Sequence, residues 1–377
     1  MNTSVVLFHQ DALDKFPYLH YIYNAIIDAY LPKGAFKKLD FQEVSFQKIA
    51  AEAGPLALLG IELPKGSSIK KSLWEKINYP ALVKQLQPDN IFYIGGQLPL
   101  LKDAKGARQW RFVADVGAVL LPRDARPAQI KKQQKIIAEL QLADKIISYS
   151  PAATRALEAQ LPASTAKLAA WLPLPQKQYL DPALYTEALL DSFKLEQTRD
   201  ESYFLIDARA ATEDEVIENL KAFSHFKKWQ RSSMQLALLI PASMHQNADF
   251  LDKFDAYFYK DDVHLLSALD TKSLYAWIRS AYAVVSPYLA DQGLDIQLAT
   301  ASLGSLIIAP VTSSTELLLP EARFDLPATD KESLGQVLIS SYKSEILRAR
   351  HIRAGLESAE KWATLLSPLA GVMQLPE

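Results

Sequence analysis

Chemistry in this chain has to be done without a thiol. It has no cysteine, which excludes thiolate nucleophiles, disulfides and cysteine-based metal sites. Its six histidines, at positions 9, 20, 225, 245, 264 and 351, show no metal-ligand spacing. There is no GxSxG elbow, no phosphate loop and no GxGxxG. Oxygen and nitrogen groups at strand ends remain. His9 follows an apolar run and can stack on or hydrogen-bond a ligand; a solvated loop histidine is the alternative. Asp115 offers a carboxylate near another strand end, where Asp is more often structural. Gly95-Gly96 ends a third apolar run and would let a loop approach a ligand closely. Phe16, Tyr18, Tyr21 and Tyr23 can stack on the C–H face of a sugar, with core packing as the competing role.

These positions need a scaffold, and the sequence reads as alternating strands and helices. Of 377 residues, 49% are hydrophobic and 22% charged, enough for about two domains with ordinary cores. Lys and Arg number 41 against 43 Asp and Glu. That balance argues against a nucleic-acid partner, which calls for a basic surplus. The spacing predicts strands at Val5–Phe8, Asn90–Gly96, Arg111–Val116 and Lys145–Ser150, with helices over Tyr18–Tyr30 and Pro127–Leu142. Ser150 then caps a helix opened by Pro151. The proline-rich stretch Leu161–Pro182 reads as a linker. Beyond it, strands are predicted at Ser202–Asp207, Gln235–Ile240, Val263–Leu266, Ala283–Ser286 and Leu306–Ala309. Helices are predicted over Glu213–Trp229, Leu274–Ala281, Leu294–Leu303 and Ser344–Val372. Apolar strands alternating with helices imply parallel sheets covered on both faces. The expected fold is α/β with two Rossmann-like, doubly wound domains, residues 1–172 and 173–345. A C-terminal helix over 346–377 would cross back to the first domain. Ligands of such sheets sit at the carboxyl ends of the strands, so the expected site is an interdomain cleft.

The N-terminus has no basic segment and only a four-residue apolar run, so no secretory signal is expected. No stretch approaches the roughly 18 apolar residues of a membrane span. A cytoplasmic protein is expected, with peripheral contact at the inner membrane left open.

The second half resembles the C-terminal lobe of GT-B glycosyltransferases, specifically the family-4 retaining group. Tyr203–Arg209 is similar to its first donor-lobe strand, which ends in Gly-Arg; here the dipeptide is Ala208-Arg209. Val263–Asp270 resembles the loop that holds the nucleotide base. Leu274-Tyr275 and Ala281–Pro287 resemble "LY…ADAFVFPS", and Gly304–Ala309 resembles "GTPVIAS". Thr315-Glu316 stands where the family has Pro-Glu, and Phe324–Asp330 with Leu334 resembles "LVDPxDxxxL". In the first half, Ala143–Ser150 is similar to "ADxIITVS".

The resemblance implies a chemistry. A nucleoside diphosphate leaving group gathers negative charge, which fixed cations and helix-start N–H groups stabilise. It assigns Arg209 to the phosphates, Leu266 and Ala268 to the base loop, and Gly293 and Ser313 to the donor site. A surface ion pair at a strand end is the other reading of Arg209. The family lysine falls on Asp214, whose carboxylate would repel a diphosphate. The E-x7-E pair falls on Asp291 and Ala299. Asp291 can bond a sugar hydroxyl or cap a helix; Ala299 can accept nothing, with Asp295 a possible substitute one turn upstream. The acceptor-side histidine is replaced by Gly117-Ala118, leaving Asp115 and Asp291 as the candidate catalytic carboxylates.

Two functions follow from the resemblance. One is a nucleotide-sugar-dependent hexosyltransferase, retaining, acting on a glycan or other acceptor with no metal and no further cofactor. The other is a non-catalytic GT-B pseudoenzyme that binds a nucleotide or sugar or serves as partner to another glycosyltransferase or membrane-associated assembly.

Overall fold

A computed structural model describes residues 4–8, 19, 22, 23, 26, 36–40, 58–62, 77, 79–94, 101, 102, 104, 106–113, 127–172, 174, 175, 179–288 and 291–365. The chain divides into two compact units, the first closing at Leu172 and the second running from Pro173 to Leu366.

The first unit is built on seven parallel strands: β1 (Ser4–Phe8), β2 (Phe36–Asp40), β3 (Leu58–Glu62), β4 (Asn90–Ile94), β5 (Arg108–Phe112), β6 (Lys145–Ser148) and β7 (Leu168–Ala170). Their order is β2-β3-β1-β4-β5-β6-β7. β1 and β4 are buried on both faces, which is why they read as unbroken apolar runs. Helices α1 (Tyr79–Leu86), α2 (Pro127–Leu140) and α3 (Pro151–Gln160) contribute to this unit. Ser150 caps α3 by accepting from the Ala153 N–H at 3.0 Å, with Pro151 in the first turn, as its sequence predicts.

Two sequence expectations are corrected here. The strand expected over Arg111–Val116 lies at Arg108–Phe112 instead. Gln109 and Trp110 are buried in it because distant partners satisfy their polar groups. Gln109 accepts from the Tyr93 hydroxyl at 2.8 Å, and its backbone N–H donates to Asp144 Oδ2 at 2.7 Å. Trp110 Nε1 donates to Asn90 Oδ1 at 3.1 Å. The expected linker over 161–182 is structured in its first half. A 3-10 helix spans Pro162–Lys167, and β7 pairs with β6 as an edge strand, Ile146 level with Leu168.

The second unit carries β8 (Tyr203–Asp207), β9 (Gln235–Leu239), β10 (Val263–Leu266), β11 (Ala283–Val285), β12 (Leu306–Ala309) and β13 (Arg323–Asp325). All are parallel, in the order β10-β9-β8-β11-β12-β13. This doubly wound order reverses between β8 and β11, the place where such sheets open a ligand crevice at their carboxyl edge. The helices are α4 (Glu187–Thr198), α5 (Glu213–Gln230), α6 (Ala248–Asp255), α7 (Thr271–Ser280), α8 (Leu294–Leu303), α9 (Ser313–Leu318), α10 (Lys331–Tyr342) and α11 (Glu345–Leu365). Most of α8 is buried, because α11 and α7 pack on it. The described part of α11 thus packs within the second unit, against α8, α10, β12 and β13. Its Trp362 Nε1 donates to the Leu318 carbonyl at 3.0 Å. No helix among the described residues is long and apolar enough to cross a membrane.

Candidate functional site

Register places the site. Asp207, Leu239 and Leu266 are level across β8, β9 and β10, and Val285 of β11 is level with Ile206. Arg209 and Ala268 each lie two residues past that line, and Tyr288 and the start of α8 follow β11. Residues far apart in sequence therefore meet at one carboxyl edge because β8 and β11 are neighbours.

Arg209 lies between two carboxylates. Its Nε donates to Asp207 Oδ1 at 2.8 Å and its Nη2 to Asp207 Oδ2 at 3.0 Å. Its Nη1 donates to Asp295 Oδ2 at 2.9 Å, and Nη2 also reaches Asp295 Oδ1 at 2.9 Å. Four of the five guanidinium N–H donors are thereby used. The side chains of Arg209 and Asp295 are 17% and 15% exposed, that of Asp207 only 1%. Burial opposes the guanidinium charge, but the two carboxylates outweigh it and hold Arg209 well above the ordinary arginine range. The triad has a formal charge of −1. Arg209 thus stands at the expected strand end and is engaged in ion pairs, here largely buried rather than at the surface.

Tyr288 covers this cluster. Its hydroxyl accepts from the Ala210 N–H at 3.0 Å. Burial, then the Asp207 charge, push the phenol well above its usual range. Beneath it, Gly293 precedes α8 with no side-chain cap. A Cβ there would fall 2.1 Å from Ser286 Oγ and 2.8 Å from Tyr288 Cδ2. The close approach expected at Gly293 is therefore made by protein groups. Ser286 Oγ accepts from Gln297 Nε2 at 3.0 Å, deep in the core.

The other expected residues distribute as follows. Ala268 adopts a left-handed backbone, φ +51°, in the loop after β10. Such strain in a non-glycine residue clusters at ligand loops. Leu266 ends β10, and its carbonyl accepts from the Ile240 N–H at 2.8 Å. Ser313 opens α9, which Thr312 caps by accepting from the Thr315 N–H at 3.1 Å. Asp291 opens the 3-10 turn Asp291–Gly293 directly before α8. Asp214 is exposed in the first turn of α5 beside Glu213 and Glu215. Acids belong at that positive helix end; Glu215 completes a capping box with Thr212, and Glu213 pairs with Lys253. Ala299 is buried among Tyr203, Leu205, Tyr275 and Val284, so no carboxylate stands at that position.

His9, Gly95, Gly96, Asp115 and Gly117 fall outside the described residues. The strands that His9 and Gly95 follow are in register, Phe8 level with Ile94, at the point where the first sheet reverses its order. Of the aromatic run, Tyr23 is buried and packs on Phe8 at 4.8 Å between ring centroids, a core role; Phe16, Tyr18 and Tyr21 lie outside the described residues. Among the described residues no three His, Asp or Glu side chains are grouped to hold a metal ion. Sequence reasoning missed Asp207 and Tyr288. The signal for Asp207 was present: a strand-final carboxylate two residues before an arginine.

Comparison with known proteins places this architecture. No protein-family model matches the chain, and no curated protein is similar to it in sequence. Solved structures are similar along the whole chain. Anabaena HepE, in complex with UDP-glucose, is 9% identical with a TM-score of 0.68, covering 99% of this chain and 100% of its own. WaaG, a glycosyltransferase involved in lipopolysaccharide biosynthesis, is 12% identical with a TM-score of 0.66 and 95% coverage of each chain. A glycosyltransferase from Rickettsia africae ESF-5 is 12% identical with a TM-score of 0.64, covering 96% and 94%. The chain has the GT-B glycosyltransferase fold, two units with Rossmann-like parallel sheets.

Proposed function

We propose that this protein is a glycosyltransferase-like protein that binds a nucleotide sugar at the switch point of its second sheet. One observation carries the reading. Arg209, the strained Ala268 loop and the Gly293 turn all stand at the carboxyl edge of one 3-2-1-4-5-6 sheet. A relative of the same fold, HepE, was solved with UDP-glucose. In this reading the base lies along Leu266–Ala268, and the diphosphate faces Arg209 and the start of α8. By the resemblance, Asp291, in the turn just before α8, would supply the carboxylate that orients sugar hydroxyls. If turnover occurs, a hexosyl group passes to a glycan or other acceptor, and the diphosphate leaves against the guanidinium.

A specific observation favours a second reading, a non-catalytic GT-B protein that serves as partner to another glycosyltransferase. Arg209 already gives four of its five donors to two carboxylates, an acid fills the lysine position, and Ala299 carries no polar group. Removing one transition-state contact costs about 10²–10³ in rate.

Thermal unfolding with UDP, GDP, ADP and their sugars tests the first reading. Ligand at about 100 times its Kd should add about 2.7 kcal/mol of stability. Absence of a shift with every nucleotide would overturn nucleotide binding. Binding without release of free nucleoside diphosphate, alone or with glycan acceptors, would favour the partner role. A cytoplasmic protein working at the inner membrane face fits either reading.

A further inference from the structure

We propose that Asp295 is a built-in competitor for the ligand's phosphate: its carboxylate occupies the anion position between Arg209 and the start of α8. The inference rests on the nucleotide reading above and adds what sets the affinity of that site.

The two carboxylates on Arg209 are not equivalent. Asp207 belongs to the end of β8 and is 1% exposed. It holds Nε and one N–H of Nη2, the inner edge of the guanidinium, and its Oδ1 also accepts from the Arg209 backbone N–H at 3.2 Å. That is an orienting role. Asp295 takes the outer fork, with Nη1 and Nη2 each donating to a different carboxylate oxygen at 2.9 Å. This two-pronged geometry is the one arginine offers to a phosphate.

The position of Asp295 in its helix supports the same conclusion. It is the acid in the first turn of the ten-residue helix α8, whose N-cap Gly293 provides no side-chain hydrogen bond. A helix start favours negative charge. One negative group therefore already sits where a helix terminus and a guanidinium fork converge. With Asp207, Asp295 and Arg209 together at −1, an incoming phosphate meets net repulsion and an occupied fork; once the Asp295 carboxylate leaves, the Arg209–Asp207 pair is neutral and its outer edge is open. Binding becomes an exchange of one anion for another.

Calorimetric titration of the full chain and of Asp295→Asn with inorganic pyrophosphate and with UDP tests this. Asp295→Asn removes the charge, keeps the volume and leaves Arg209 oriented by Asp207. Both probes should bind the variant at least about tenfold more tightly than the unaltered chain, the factor that corresponds to roughly 1.4 kcal/mol. Asp295→Ala should show the same gain, and serves if the asparagine variant does not fold. Asp207→Asn should show none, because it frees the inner edge and loosens the arginine. A folded Asp295 variant that binds pyrophosphate no more tightly than the unaltered chain overturns the competitor. A gain for pyrophosphate with none for UDP keeps the competitor and overturns the nucleotide reading. UDP that binds while neither probe gains in a folded Asp295 variant does the reverse.

Discussion

Replacing Arg209 with alanine should destabilise the second unit. A guanidinium free to clamp a ligand could be removed at little cost to folding, but this one holds Asp207 and Asp295 together through four hydrogen bonds. The truncation leaves two like charges facing each other across a side chain's volume, one of them 1% exposed. Breaking a buried ion pair from one side costs about 3–5 kcal/mol. Arg209 and Asp295 keep 17% and 15% exposure, so water recovers part of this and about 3 kcal/mol is expected. At about 2–4 °C per kcal/mol for a unit of this size, Tm should fall by roughly 6–12 °C. Differential scanning calorimetry would read it. Adding Asp295→Asn to Arg209→Ala removes one of the stranded charges and should restore part of the loss, with a coupling of about 0.5–3 kcal/mol between the sites. An Arg209→Ala protein that melts with the unaltered chain, or a double variant whose losses simply add, would refute the ion-pair argument.

Gly293→Ala should cost about 1–3 kcal/mol through overpacking, since its backbone, φ −98°, suits any residue and only space is lacking; Ser286→Ala in the same chain should recover part of it in urea denaturation. Thr212→Ala removes the capping box of α5 and should cost about 1 kcal/mol, seen as a lower urea midpoint with an unchanged slope. His264, with Nε2 2.6 Å from Gln235 Oε1, is held below its ordinary 6.5 by burial and then by Arg199. Its contribution is full above pH 6.5 and is lost as pH falls from there through the depressed native value. His264→Gln should flatten the Tm profile across that interval, and an unchanged slope between pH 7 and pH 5 would show that this imidazole does not couple to folding.

Much of the second sheet was legible because its strands are continuous apolar runs closed by breakers. β10, β12 and α8 lie within the residues their patterns predict, and β8 and β9 differ by one residue at an end. Burial on both faces produces that signal, and it needs no knowledge of partners. β5 was displaced in the sequence reading because Arg108, Gln109 and Arg111 look like surface residues. Gln109 is nevertheless buried, and only tertiary partners such as Tyr93 and Asp144 make that burial tolerable. β7 passed for linker because a run of three residues, Leu-Ala-Ala, forms a strand only when β6 is there to pair with.

The site divides along the same line. The resemblance to GT-B glycosyltransferases singled out Arg209, Gly293 and Ala299; local pattern added only that Arg209 follows a strand and Gly293 precedes a helix. What the guanidinium touches was decided by topology. Asp295 is 86 positions from Arg209, and only the adjacency of β8 and β11 brings the two together. A charge in sequence carries no information about its counterion until the chain has folded, and here the counterion determines whether the arginine faces a ligand or its own protein.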